Sequence, residues 1–215
     1  MRWERGIGNN APAMTSTRTL ALTAALVTLV VGGTARLLPY LPGDVAVAHA
    51  FQAAAPGTGW VGPMVATASA PIKYVLMAIA LVGAWRLAGM RAVAIVAVAI
   101  ALEQTFGESS KLLFGRPRPS RELVAVMGNP TGLSFPSTFM TLYSVTIGAL
   151  FVLGLRMRPS PARLAVLAAS GVVLLVAAAA RIVPGAHWPS DAFGTPAILL
   201  SWLAVAFSAA GTERR

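Results

Sequence analysis

The chain has 215 residues, of which 56% are apolar and 11% charged, and a formal net charge of +10. Soluble domains carry about a quarter charged residues, so lipid is the expected main solvent, and the mean hydropathy of +0.71 agrees. Cysteine is absent, which excludes disulfides, zinc–thiolate and iron–sulfur sites, and cysteine nucleophiles.

Residues 1–18 read as a polar tail, 19–210 as one membrane domain and 211–215 as a short second tail. Six apolar segments fall at Thr19–Ala35, Pro71–Trp85, Val93–Phe106, Thr138–Leu155, Leu164–Ala180 and Ala192–Ala209. The second could begin as early as Val61. Their Ala- and Leu-rich composition without strict alternation excludes barrel strands. Backbone in hydrocarbon must satisfy its own hydrogen bonds, so helices are expected. The fold class is therefore all-α, a polytopic membrane bundle of about six transmembrane helices.

The first segment, with Arg18 before it and Gly32, Gly33 and Ala35 at its end, superficially resembles a signal peptide. Because five more segments follow, it reads as an uncleaved anchor. Pro39–Pro63 is punctuated by Gly and Pro and reads as an outer loop, with Tyr40 and Trp60 suited to an interfacial belt.

Alternating the segments sorts the charges. Arg2, Arg5, Arg18, Arg86, Arg91, Arg156, Arg158, Arg163, Arg214 and Arg215 fall on one side, in termini and short turns. That is the pattern of cytoplasmic loops. Arg36, Lys73, Lys111, Arg116, Arg118, Arg121 and Arg181 fall on the other, expected outer side. The same sorting explains the net charge without nucleic acid, for which no basic helix or aromatic-interleaved patch is present.

Three clusters share that outer side. Lys111, Arg116 and Arg118 follow the third segment, Pro136-Ser137 opens the fourth, and Arg181, His187 and Asp191 join the fifth to the sixth. Converging Lys and Arg suit phosphate oxygens, and a helix beginning at Ser137 offers N–H groups to an anion. His187 and Asp191 are four apart, so at a helix start they share a face. There the carboxylate can orient the imidazole and support its charge.

The pattern Lys-x6-Arg-Pro, Pro-Ser, Arg-x5-His-x3-Asp resembles the type-2 phosphatidic acid phosphatase superfamily, which includes the vanadium haloperoxidases. Lys111, Arg118 and Pro119 carry the first motif, Pro136 and Ser137 the start of the second, and Arg181, His187 and Asp191 the third. The resemblance implies that His187 is the nucleophile, forming a phosphohistidine, with Asp191 its partner. It implies that Lys111, Arg118 and Arg181 hold phosphate oxygens, assisted by Ser137 and the Thr138 amide. It implies no metal and no cofactor, and a lipid phosphate or diphosphate in the membrane as substrate partner.

Two positions depart from the family pattern. Ala180 replaces a serine before Arg181. Phe139 replaces the histidine that in the family protonates the leaving group. General-acid help contributes about 10²–10⁴-fold when the leaving oxygen is alkoxide-like. A diphosphate instead expels a phosphomonoester, with a second ionisation near pH 6, which can leave unaided. The expected substrate is thus a lipid diphosphate, with undecaprenyl diphosphate foremost. Other readings are a non-catalytic lipid-phosphate binder, a lipid phosphotransferase, and a phosphatidylglycerophosphate or lipid A phosphatase. His49, Tyr143, Glu103 and Glu108 are the possible replacement acids, the two glutamates being expected rather to pair with arginines. The expected location is a bacterial inner membrane, termini cytoplasmic and site outward.

Overall fold

The computed structural model describes residues 16–55 and 57–212, and among these no strand occurs. The helices are α1 (Thr17–Leu37), α2 (Asp44–Ala54), α3 (Val61–Ala66), α4 (Ile72–Ala88), α5 (Met90–Phe106), α6 (Thr138–Arg156), α7 (Pro161–Ile182) and α8 (Pro189–Ala209). A 3₁₀ turn occupies Ser109–Leu113. All six apolar segments are helical, their ends within three residues of the expected ones.

Local chemistry sets the ends. Ser16 caps α1 by accepting from the Thr19 amide, and Ser160 caps α7 ahead of Pro161 at its first position, the preferred residues at such sites. Gly89, at φ 78°, turns the chain between α4 and α5. By length and composition α1, α6, α7 and α8 are able to cross a membrane. The 17-residue helices α4 and α5 reach about 26 Å, short of the ~30 Å hydrocarbon core.

Helix α6 is the axis of the bundle. Its most apolar stretch is 72% buried, against 17–28% for α1, α7 and α8, whose remaining apolar surface is left for lipid. Midway it widens into a π turn at Ser144–Gly148. Gly148 admits Leu200 of α8 so closely that a Cβ there would lie 2.5 Å from the leucine methyl, the small-residue packing typical of membrane helices.

Two expectations are corrected. The Pro39–Pro63 stretch is not all loop, because α2 lies within it, started by Gly43 at φ 95° and Asp44 in the first turn. Nor does α4 begin at Val61. Val61–Ala66 is a helix of its own, and the chain turns before Ile72.

Alternation brings α2, α3, the 107–137 loop, the start of α6 and the α7–α8 turn to one end. Gln52 of α2 donates to Ala125 O at 2.7 Å and Val183 O at 3.2 Å, and the Met127 amide donates to Pro184 O at 2.8 Å. At the other end Arg91 donates to Ala210 O and the Thr17 hydroxyl meets that of Ser208. Arg86, Arg156, Arg158 and Arg163 belong to this end, as the alternation requires. Arg2, Arg5, Arg214 and Arg215 lie outside the described residues.

Candidate active site

Gly185 makes the turn that presents His187. It sits at φ 64°, and a Cβ there would lie 2.2 Å from Ala125 O. Only glycine adopts this conformation freely and lets the two backbones meet. The His187 amide then donates to Arg181 O at 3.1 Å, folding the end of α7 back over its own last turn.

His187 is not on a helix, which corrects the shared-face expectation. It stands before Trp188, the N-cap of α8, whereas Asp191 is in the first turn. The Asp191 carboxylate accepts from the Trp188 amide at 3.1 Å, which brings it under the imidazole. His187 Nδ1 and Asp191 Oδ2 are 3.8 Å apart, beyond hydrogen-bond length.

The opposite ring nitrogen identifies the tautomer. His187 Nε2 lies 3.2 Å from Arg118 Nη1 and 3.4 Å from Ser137 Oγ. A guanidinium only donates, so Nε2 accepts and the ring proton is on Nδ1, towards Asp191. A lone pair on Nε2 beside a cation and a hydroxyl is what an attacking imidazole needs. Burial pushes the His187 imidazole down to about 4; Asp191 opposes that, while Arg181 and Arg118 add to it. The ring is therefore neutral at physiological pH.

Arg118, Ser137, Asp191 and Arg181 gather around His187, and Lys111 is tied to this end through Glu108. Arg118 is braced by its Nε donating to Thr131 O at 2.8 Å and its Nη1 to Ala186 O at 2.6 Å. Burial holds its guanidinium below the usual arginine range. Ser137 caps α6, its hydroxyl accepting from Met140 N, while its own amide donates to Thr195 Oγ1 at 3.1 Å. The Thr138 amide heads the same helix, in the first turn, where intrahelical acceptors are missing. Lys111, nearly inaccessible, donates to Glu108 Oε1 at 2.8 Å. The Glu108 carboxyl is held below its ordinary range by Lys111 first, then by the Thr138 side chain and Arg118. Arg181 reaches back from α7, and its buried Nε has no hydrogen-bond partner among the described residues.

Phe139 occupies the place of the missing histidine. Its ring stacks on Tyr143 at 4.7 Å and carries the Arg181 guanidinium 5.3 Å from its centre. The position has become an aromatic shelf under the Arg181 guanidinium. The other candidate acids are engaged elsewhere. His49 Nε2 is 2.8 Å from Leu123 O, and the Tyr143 hydroxyl is 2.6 Å from that of Thr67. Glu103 accepts from Gln104 and Glu108 pairs with Lys111, so neither pairs with an arginine as expected.

Arg116 does not join the cations that face His187. It is buried and bridges two carboxylates, Asp191 at 2.6 Å and Asp44 at 3.2 Å. Asp44 and Ser190, which completes this network, are missed by sequence reasoning. An aspartate at the start of a short helix reads as an ordinary first-turn acid. Beside the site an apolar cavity of about 730 Å³ runs between α5 and α8. It ends at Ser110, Phe135 and Pro136, chain neighbours of Lys111 and Ser137. Val98, Leu102, Phe106 and Trp202 along it are exposed, so the groove opens towards lipid. Among the described residues no group of three or more His, Cys, Asp and Glu is gathered as a metal site.

Fold and site together define a polytopic helical membrane protein with a buried histidine set among arginines at one end. Residues 92–215 match the PAP2 superfamily, and the chain belongs to that family. No curated protein matches the chain. Among solved structures it is similar to a transmembrane PAP2-type phosphatidylglycerolphosphate phosphatase from Bacillus subtilis. That likeness has a TM-score of 0.59 and 16% identity, over 91% of this chain and 97% of the other. It extends the shared fold to helices outside the matched family region.

Proposed function

We propose that this protein is an integral-membrane lipid phosphatase working through a phosphohistidine on His187 and favouring lipid diphosphates. The observation that carries the reading is the imidazole itself: buried, neutral, with Nε2 aimed at Arg118 and Ser137. Nε2 attacks phosphorus as the bond to the leaving oxygen breaks, and the departing lipid phosphate keeps the electron pair. Water then cleaves the P–N bond. Lys111, Arg118 and Arg181 neutralise the phosphoryl oxygens, and the Thr138 amide at the head of α6 adds its dipole. Asp191 supports the charge that His187 acquires.

The substrate preference follows from Phe139, which cannot give a proton. A leaving phosphomonoester needs none, and undecaprenyl diphosphate is the leading candidate. Its tail would lie in the groove between α5 and α8. The reading further takes residues 19–210 as one domain that crosses a bacterial inner membrane six times. The termini are then cytoplasmic and the site faces outward, on the distribution of arginine.

The Phe139–Arg181 contact also favours a second reading, a binder of lipid phosphate without turnover. One assay separates the two. Purified protein in nanodiscs is given undecaprenyl diphosphate or undecaprenyl monophosphate, beside a His187→Ala control, and phosphate release is measured. Diphosphate turnover should exceed monophosphate turnover, and the control should be silent. Equal or faster monophosphate release would sink the preference, and release by the control would sink the mechanism. Binding of diphosphate without release would establish the binder.

A further inference from the structure

The carboxylate of Asp191 is shared. Its Oδ1 takes a short ion pair from Arg116 Nη1, at 2.6 Å, while its Oδ2 serves Ser134 and the Trp188 amide and stands 3.8 Å from His187 Nδ1. Arg116 is itself shared, because its Nη2 donates to Asp44 Oδ2 at 3.2 Å. Asp44 is fixed by donors from two other places. The Ser190 amide reaches its Oδ1 at 2.8 Å; the Ser190 hydroxyl and the Leu41 amide reach its Oδ2 at 2.6 and 2.7 Å. Asp44, Arg116, Asp191 and His187 are each at most 4% exposed.

Four ionisable groups buried in a row are governed by their summed charge, since bulk water cannot screen them. Asp44, Arg116 and Asp191 sum to −1. One more positive charge, on the imidazole, closes the row to neutrality. Without Asp44 the row would already be neutral, and Arg116 would draw Asp191 away from the imidazole.

We propose that Asp44, acting through Arg116, is a positioning residue for the His187–Asp191 pair: it takes up the Arg116 charge and leaves Asp191 able to support a cationic His187. Helix α2 thereby contributes to the chemistry, although it lies outside the three motifs and before the matched family region. The other charged groups facing His187 are Arg118 and Arg181. Both are cations that stay in place in every variant below.

The inference rests on reading His187 as nucleophile and Asp191 as its partner, but its test needs no turnover. The chain contains two histidines, so the full-length protein labelled with ¹⁵N in its imidazoles gives two sets of NMR signals in nanodiscs. His187→Ala assigns them, and exposed His49 serves as internal control. Asp44→Asn should lower the His187 midpoint by about one pH unit, and Arg116→Gln should raise it by a similar amount, typical of gaining or losing one nearby charge. The double variant restores the sum of −1 and should titrate like the native protein. It also removes a buried pair together, which folding tolerates better than removing one partner.

A structural role alone would move both single variants in the same direction or leave His187 unmoved, and either result overturns the proposal. Should the single variants fail to fold, the double variant decides, and a midpoint displaced by a full pH unit overturns it. Opposite shifts in a protein that releases no phosphate would uphold this inference and sink the proposed function. Turnover with unshifted midpoints would do the reverse.

Discussion

Restoring a histidine at position 139 tests the proposed chemistry at its weakest point. Phe139→His removes a ring that stacks on Tyr143 at 4.7 Å and supports Arg181 at 5.3 Å. The lost stacking is worth about 0.5–1.5 kcal/mol and the lost cation–π contact about 0.5–2 kcal/mol. The variant should therefore be less stable by about 1–3.5 kcal/mol. Against that stands the gain of a proton donor, worth about 10²–10⁴-fold for a basic leaving group. Arg181 disfavours a second cation beside it, so the new imidazole is protonated only partly. The gain should fall near the low end, about 10²-fold for monophosphate, and grow as the pH is lowered across the range assayed. Diphosphate turnover should change less than about 10-fold. Phosphate release with both lipids across pH 5–8, alongside thermal unfolding in the same nanodiscs, measures all of this. An equal rise with both lipids, or none with the monophosphate in a folded variant, refutes the reasoning that Phe139 sets the preference.

The same geometry fixes further outcomes. With the His187 pKa depressed to about 4, the nucleophile is neutral above that value, so kcat/KM should hold down to about pH 5 and fall only below it. Stability should move with the same sign. Between the unfolded pKa near 6.5 and about 4 the unfolded chain binds the proton first, so stability should decline as pH falls through that window. His187→Ala should flatten this part of the stability profile. Gly185→Ala forces φ 64° on alanine and a Cβ into Ala125 O; the αL conformation alone costs about 1–2 kcal/mol, and activity should fall steeply while α6–α8 remain helical by circular dichroism. Lys111→Met should raise KM for the lipid about 10–100-fold, the worth of a charge-assisted hydrogen bond. Glu108→Gln should lower KM by only a few fold, because the carboxylate competing for Lys111 is largely exposed.

The membrane helices were legible because their signal is long and redundant. Mean composition over a segment of this length survives errors of two or three at each end, which is where the differences lie. The site was legible for another reason. Helix alternation puts the ends of the third to sixth segments on one side, and the charges there are sparse enough to be read singly. What escaped depended on contacts between distant segments. The 11 residues of α2 have no period long enough to announce a helix. Asp44 gains its meaning only from Arg116 and Ser190, 72 and 146 residues away. The shared-face expectation for His187 and Asp191 failed because Trp188 caps α8 between them. Spacing alone does not say where a helix starts. Arg116 and Arg118, separated by one proline, looked alike in sequence; the turn through Pro117 sends one to the buried carboxylates and the other to the imidazole.

The groove between α5 and α8 opens sideways, and that bears on what concentration means for such a protein. A substrate whose tail is threaded in from the side never has to leave the bilayer. The quantity that governs its supply is then its fraction among the surrounding lipids, not its amount per volume of water. Adding inert lipid would slow the reaction and removing it would speed it, with protein and substrate totals unchanged. On the proposed function, the groove would make the composition of one leaflet the regulator of flux through the site.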